Sequence, residues 1–330
     1  MASFEFIEFQ KTRDFSNKMN ATFEFFKQNF KSLAKCLLYF VGPPALVTSL
    51  LIGSVFGDYM TLITGMASPG GQEAFTNYIM SVNFWLAVGL GVVIATITAV
   101  MMTATVNNYV ILYSAKRSNQ IETEEVWALV KQTFWMYFST LIGYVLLVIA
   151  AYLILIIPVV AFAPVSPFMV FFMVLVMIFG IIYLFIATSL IFSVRGFERK
   201  GFFGSIARSM YLVRGKWWST FGLIMIFSLI VSTISSLFIL PWYITFIVSM
   251  LHSIEKGANA APGESNSLVA IISFSLYYLV YYILGSLPQL GLIFQYFNLV
   301  ERKESRGLME KMGELGSADT KPANTQTEHY

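Results

Sequence analysis

Charge is what this sequence has least of. Only 12% of its 330 residues are Asp, Glu, Lys or Arg, about half the share found in ordinary soluble domains. Five runs carry none at all: 36–57, 74–115, 132–194, 217–254 and 265–300. With 57% apolar residues, a soluble globule could not hide its apolar surface, so lipid must solvate much of it. Histidine is almost missing as well. His252, His329 and the single cysteine, Cys36, are too few and too far apart for a zinc site or a four-histidine iron site. That excludes metallohydrolase and carotenoid-oxygenase readings, and one cysteine allows no internal disulfide. The apolar runs hold no carboxylate, so an acid–base pair or a proton relay has no carriers there. No Walker loop, dinucleotide fingerprint or G-x-S-x-G elbow occurs. The first 20 residues mix acidic and basic side chains without an apolar core, so no cleavable signal peptide is expected. The chain therefore reads as non-enzymatic, with no cofactor, no metal and no nucleic-acid partner.

The apolar runs themselves set the architecture. A helix needs about 20 apolar residues to cross the hydrocarbon, and the run 132–194 is long enough for two crossings, divided near Ala163–Pro167. This predicts an all-α integral membrane bundle of six helices, at about 33–56, 80–113, 134–162, 168–194, 217–250 and 268–299. An amphipathic segment (1–32) precedes this transmembrane domain (33–300), and a tail (301–330) follows it, polar and disordered from about Gly316. With six spans, twenty of the 21 basic residues fall on one side. The other side keeps Lys256 against Asp58, Glu73, Glu255 and Glu264. The positive-inside rule then places both termini in the cytoplasm, with the chain in a bacterial inner membrane.

The stretch 195–221, RGFERKGFFGSIARSMYLVRGKWWSTF, concentrates six of those basic residues between two charge-free runs. At helical spacing Phe203, Met210, Val213 and Trp217 share one face, and Arg208 points the other way. Gly215 suits a left-handed stop. An interfacial amphipathic elbow results, with Trp217 and Trp218 at headgroup level. Arg199, Lys200, Arg208, Arg214 and Lys216 are the candidate contacts to anionic lipid headgroups.

Three weakly similar units recur, each with an amphipathic entry, a hairpin and a basic exit. The entries are FFKQNFKSL (25–33), LVKQTFWMYFSTL (129–141) and LVRGKWWSTFGL (212–223). The exits are NNYVILYSAKR (107–117), TSLIFSVRGFERK (188–200) and FQYFNLVERK (294–303). Glu122, Glu124 and Glu125 sit where negative charge caps the helix carrying Trp127. Ala87, Gly91, Ala95, Ala99, Thr103 and Asn107 recur every four residues, a small-residue stripe read as a helix-packing face; Ser228, Ser232 and Ser236 repeat the idea. Pro43-Pro44, Pro158, Pro241 and Pro288 interrupt spans, as in packed bundles and in transporters that unwind helices around substrate. If a polar cavity exists, Asn107, Gln289, Gln295 and Asn298 are its candidate lining.

The entry–hairpin–exit arrangement, with Arg208, Gly215 and Trp217-Trp218, resembles the membrane domain found beside some bacterial glycerophosphodiester phosphodiesterases and its stand-alone multi-pass relatives. That resemblance implies a six-helix membrane bundle and brings no catalysis, because in that family the chemistry belongs to a separate barrel domain. The leading functional expectation is a multi-pass scaffold or accessory protein whose elbows bind anionic lipid and a protein partner. The alternative is a transporter or lipid-handling protein with a cavity between proline-broken helices, and a membrane-embedded enzyme ranks third.

Overall fold

In the computed structural model, residues 5–66, 70–256, 265–307, 309 and 312 are described, and all their regular structure is helical. The tail from Gly316 with His329, and Glu264 on the sparsely charged side, lie outside the described residues. In chain order the helices are α1 (Phe15–Phe40), α2 (Gly42–Gly65), α3 (Gly71–Met80), α4 (Val82–Lys116), α5 (Thr123–Phe162) and α6 (Pro167–Ala187). There follow α7 (Ile191–Glu198), α8 (Phe202–Val213), α9 (Trp217–Ser236), α10 (Leu240–Lys256), α11 (Ser265–Leu284) and α12 (Ser286–Glu304).

Among the described residues, five stretches are long and apolar enough to cross a bilayer: Val82–Lys116, Thr123–Phe162, Pro167–Glu198, Trp217–Ser236 and Leu268–Glu304. A sixth comes from α1 and α2, which bend by 58° against each other. The chain is thus a multi-pass helical membrane protein. The α1–α2 segment bends near Val41, and there Gly42-Pro43-Pro44 opens α2 with prolines in its first turn, where no backbone N–H is needed. The span expected at 217–250 is two helices, because the chain turns at Leu237–Ile239 before Pro241 restarts it as α10. Thr188–Leu190 and Gly285 interrupt two further spans. Pro158 breaks nothing: α5 runs through it to Phe162.

Close helix contact also sits elsewhere than the stripe on α4 suggests. A β-carbon placed at Gly91 would find no atom within 4 Å. The tight seam lies instead between α2 and α11. There Ser49 Oγ meets Ser275 Oγ at 3.2 Å, and a β-carbon at Gly53 would lie 3.4 Å from the Ile271 Cα. Ala45, Ser49 and Gly53 form this small-residue face, and their spacing is the small-xxx-small pattern.

The densest core gathers at the basic end. Phe25 of α1, Tyr109 and Tyr113 of α4, and Phe294 of α12 are fully buried, and Phe9 stacks on Phe294 at 4.7 Å. Edge-to-face pairs such as Phe25–Tyr113 at 4.8 Å set the ring angles. The chain before α1 is stitched on by two backbone donors: Ile7 N to Tyr113 Oη at 3.0 Å and Arg13 N to Asn298 Oδ1 at 2.7 Å. By contrast the most apolar window of α5 has none of its residues buried. Leu146, Leu153, Ile154 and, on α6, Phe168 and Phe179 face outward, as lipid-facing surfaces do.

Candidate functional site

The elbow between α7 and α9 is assembled from left-handed turns. Arg199 ends α7 at φ 51°, and Gly215 separates α8 from α9 at φ 83°, a conformation glycine adopts without strain. Between them α8 turns Ser205 and Ser209 inward. Ser209 Oγ donates to Ala187 O at 2.9 Å and accepts from Leu190 N at 3.2 Å, satisfying backbone groups exposed where α6 stops. On the outer face Phe203 is 80% exposed and Trp218 77%, beside Met210 and Tyr211. Trp217 lies flat against Tyr183 at 6.1 Å and Phe221 at 5.4 Å.

Arg208 does point away from Phe203 and Met210, and that direction is inward. Its side chain is 10% exposed. Nε donates to Glu198 Oε1 at 3.0 Å, and Nη1 donates to Glu304 Oε1. Hydrogen bonding to Glu304, then to Glu198, holds the guanidinium more firmly protonated than usual, against the opposing effect of burial. Tyr296 Oη adds a 3.0 Å bond to Glu198. Arg208 is therefore removed from the candidate headgroup contacts: two carboxylates already hold it. The other four, Arg199, Lys200, Arg214 and Lys216, are exposed, with Lys200 Nζ 3.0 Å from Glu198 Oε2. Lys303 from α12 donates to Tyr211 O and to Arg214 O (3.3 Å), closing carbonyls at the end of α8.

A cavity of about 730 Å³, open along one side, lies between the helices. Ala99 and Thr103 of α4 form one wall, and Tyr144 and Phe185 with Thr188 and Ser189 another. Met225, Ser228 and Ser232 of α9 stand at its exposed mouth, and Tyr281, Tyr282, Gly285 and Gln289 line the remaining side. The break at Gly285 makes this possible. A β-carbon there would sit 2.7 Å from Tyr281 O and 2.9 Å from the Met102 methyl; the backbone oxygen cannot give way as the methyl can, so the joint between α11 and α12 favours glycine. Pro288 follows in the first turn of α12, and Gln289 then reaches across to donate to Thr103 O at 3.2 Å.

Of the four residues expected to line such a cavity, Gln289 alone does. Asn107 is fully buried, donating to Thr103 O at 2.9 Å. Gln295 and Asn298 serve as brackets for the N-terminal segment. Asn298 receives Arg13 N, and Gln295 accepts from Lys18 Nζ at 2.6 Å while donating to Thr220 Oγ1 at 2.9 Å. Side chains one or two helical turns closer to the basic end pack into that end's core rather than into the cavity. Lys18, which the charge pattern placed on an amphipathic surface, is only 3% exposed; Gln295 and Ser219 (2.8 Å) are its neutral acceptors. Burial, reinforced by the repulsion of Arg302 and Lys216, lowers its pKa to about 8. Glu198 lies inside the exit TSLIFSVRGFERK and Glu304 one residue beyond FQYFNLVERK, and only the fold gives them a shared partner.

The acidic cap on α5 forms as its sequence suggests: Glu122 N donates to Glu125 Oε2 at 3.1 Å in a capping box, and Glu125 also pairs with Lys116. Fold and surface together define the class, a helical multi-pass membrane protein with basic elbows and an intramembrane cavity. Compared with known proteins, the chain matches no family model, no curated protein and no solved structure.

Proposed function

We propose that this chain is a non-enzymatic scaffold or accessory protein of the bacterial inner membrane, seated by its elbow on anionic lipid of the cytoplasmic leaflet. The observation that carries the reading is the surface of α8 and its flanks. Phe203, Met210, Tyr211 and Trp218 are exposed there beside the exposed Arg199, Lys200, Arg214 and Lys216. Aromatic rings favour the headgroup level of a bilayer, and each cation near an anionic leaflet contributes roughly 1 kcal/mol, weakened by salt. Four such cations hold the elbow flat on the membrane while Arg208 braces it from inside. A membrane accessory role without catalysis in this chain also accords with what the likeness to the phosphodiesterase membrane domain implies.

Replacing Arg199, Lys200, Arg214 and Lys216 together by Gln is expected to lower copurifying anionic lipid several-fold at low salt, with insertion unchanged. Lipid analysis of the purified variant checks this. An undiminished lipid complement at both low and high salt would reduce the elbow cations to orientation signals.

A further inference from the structure

The cavity between α4, the α5–α7 hairpin, α9 and α11–α12 has a chemistry distinct from the elbow. Its polar side chains are all neutral: Thr103, Tyr144, Thr188, Ser228, Ser232 and Gln289 are representative. The charge-free runs 74–115, 132–194, 217–254 and 265–300 supply every one of its walls, so no counter-charge is available inside. An ionised group moved into such a place would lose its hydration without compensation. A neutral group bearing oxygens would not. Gln289 uses one N–H on Thr103 O, which leaves its Oε1 and second N–H for a ligand. The Ser228 and Tyr282 hydroxyls make no hydrogen bond among the described residues. Thr188 and Tyr144 share a 3.2 Å bond and keep acceptor capacity.

The remaining walls are apolar and meet the hydrocarbon side on. The α5–α6 hairpin closes onto α9 near the basic end, where Trp217 stacks on Tyr183 and donates to its carbonyl at 3.5 Å. Phe185 and Tyr144 stand on one side of the cavity and the exposed Met225 and Leu229 on the other. At about 730 Å³ the space falls within the ~300–1,000 Å³ range of sites that enclose small ligands.

We propose that this cavity binds one uncharged lipid of the diacylglycerol type, its chains between the hairpin and α9 and its hydroxyl and ester oxygens on the neutral polar side chains. This site is independent of the elbow, and the two differ in charge preference: the elbow selects anionic heads, and the cavity excludes them.

The test uses the full chain in neutral nanodiscs. It pairs a diacylglycerol carrying a diazirine in one acyl chain with a phosphatidic acid of identical chains. On irradiation the diacylglycerol probe is expected to label cavity residues such as Met102 and Tyr282, and phosphatidic acid at least about tenfold less. Ser228→Leu and Ala99→Leu fill the space from opposite walls, and each is expected to reduce cavity labelling about tenfold. Val93→Leu, on the outward face of α4, leaves it unchanged. The four-Gln elbow variant also keeps the cavity label, so failure of one site is distinguishable from failure of the other. Three results would overturn the proposal: labelling of the wild type confined to outward residues such as Leu153 and Phe179, equal cavity labelling by both lipids, or full cavity labelling of the folded filled variants. Should one filled variant not fold, the other and the wild-type peptide map still decide.

Discussion

Gly196 of α7 sits where a β-carbon would lie 2.3 Å from Tyr137 Oη and 3.6 Å from Asn107 Oδ1. Both oxygens are buried, so neither can swing into solvent to make room. Gly196→Ala is expected to destabilise the fold by about 1–3 kcal/mol, the usual cost of overpacking. Adding Tyr137→Phe should recover part of the loss by removing the clashing oxygen. Gly91→Ala, whose added β-carbon would meet no atom within 4 Å, should unfold at the wild-type temperature in detergent. A wild-type transition for Gly196→Ala would show that α7 and α5 are not packed this closely. Lys18 makes a second prediction at this scale. Its folded pKa, about 8, lies below the 10.5 of an unperturbed lysine, so the unfolded chain binds more protons between those values. Stability therefore rises with pH across about 8 to 10.5 through this group, and below 8 the fold carries the full cost of a buried charge. Lys18→Met lacks that term. The melting temperature of the wild type minus that of Lys18→Met is expected to climb between pH 8 and 10; a flat difference would mean that Lys18 is hydrated.

At the scale of elements, the three basic exits end alike although their residues differ. Arg117 closes α4, Arg199 closes α7 and Ser305 closes α12, each left-handed at φ 49°, 51° and 51°. The entries diverge. α5 continues unbroken from its capped start, α1 bends into α2, and α8 is severed from α9 by Gly215. The exit similarity was visible in the sequence; the different entries were not, because a helix turns or continues according to what it packs against. The elbow depends on one such contact. Arg208 joins α7 and α12 through Glu198 and Glu304, whose side chains are 6% and 24% exposed. Without Arg208, Glu198 would keep Lys200 and Tyr296, and Glu304 would keep Arg306, but the link between α7 and α12 would be lost. Arg208→Gln is expected to lose far more thermal stability than Arg199→Gln or Arg214→Gln, whose side chains are exposed. Equal melting temperatures for the three would place Arg208 outside any stabilising cluster.

For the whole molecule, orientation is the property that charge distribution speaks to most directly. If the chain crosses six times, twenty of the 21 basic residues share one side, and the positive-inside rule predicts Arg214 in the cytoplasm and Gln72 outside. In a Cys36→Ala background, an impermeant maleimide applied to intact cells is expected to modify Gln72→Cys and spare Arg214→Cys. Both positions are exposed, so access is limited only by the membrane. The reverse pattern would invert the topology.

Sequence alone determined the class: an all-helical bundle with helices long and apolar enough to have lipid as their solvent. That follows from transfer free energy summed over some twenty residues, a local sum that needs no partners. Helix breaks were half legible. Pro43-Pro44, Pro241 and Pro288 mark three of them, the last at the joint that Gly285 makes beside Tyr281 O, but Pro158 marks none. Which polar side chain does what was decided by the tertiary structure alone. Gln289, Gln295 and Asn298 lie within three turns of one helix, yet the first lines a cavity while the others tie down the N-terminal segment. Arg208 and Lys18 looked like surface cations and are both buried, one between carboxylates and one among neutral acceptors. Helical periodicity gives the direction of a side chain about its own axis. Whether that direction meets lipid, solvent, a cavity or a counter-charge depends on segments far away in the chain, brought there by packing.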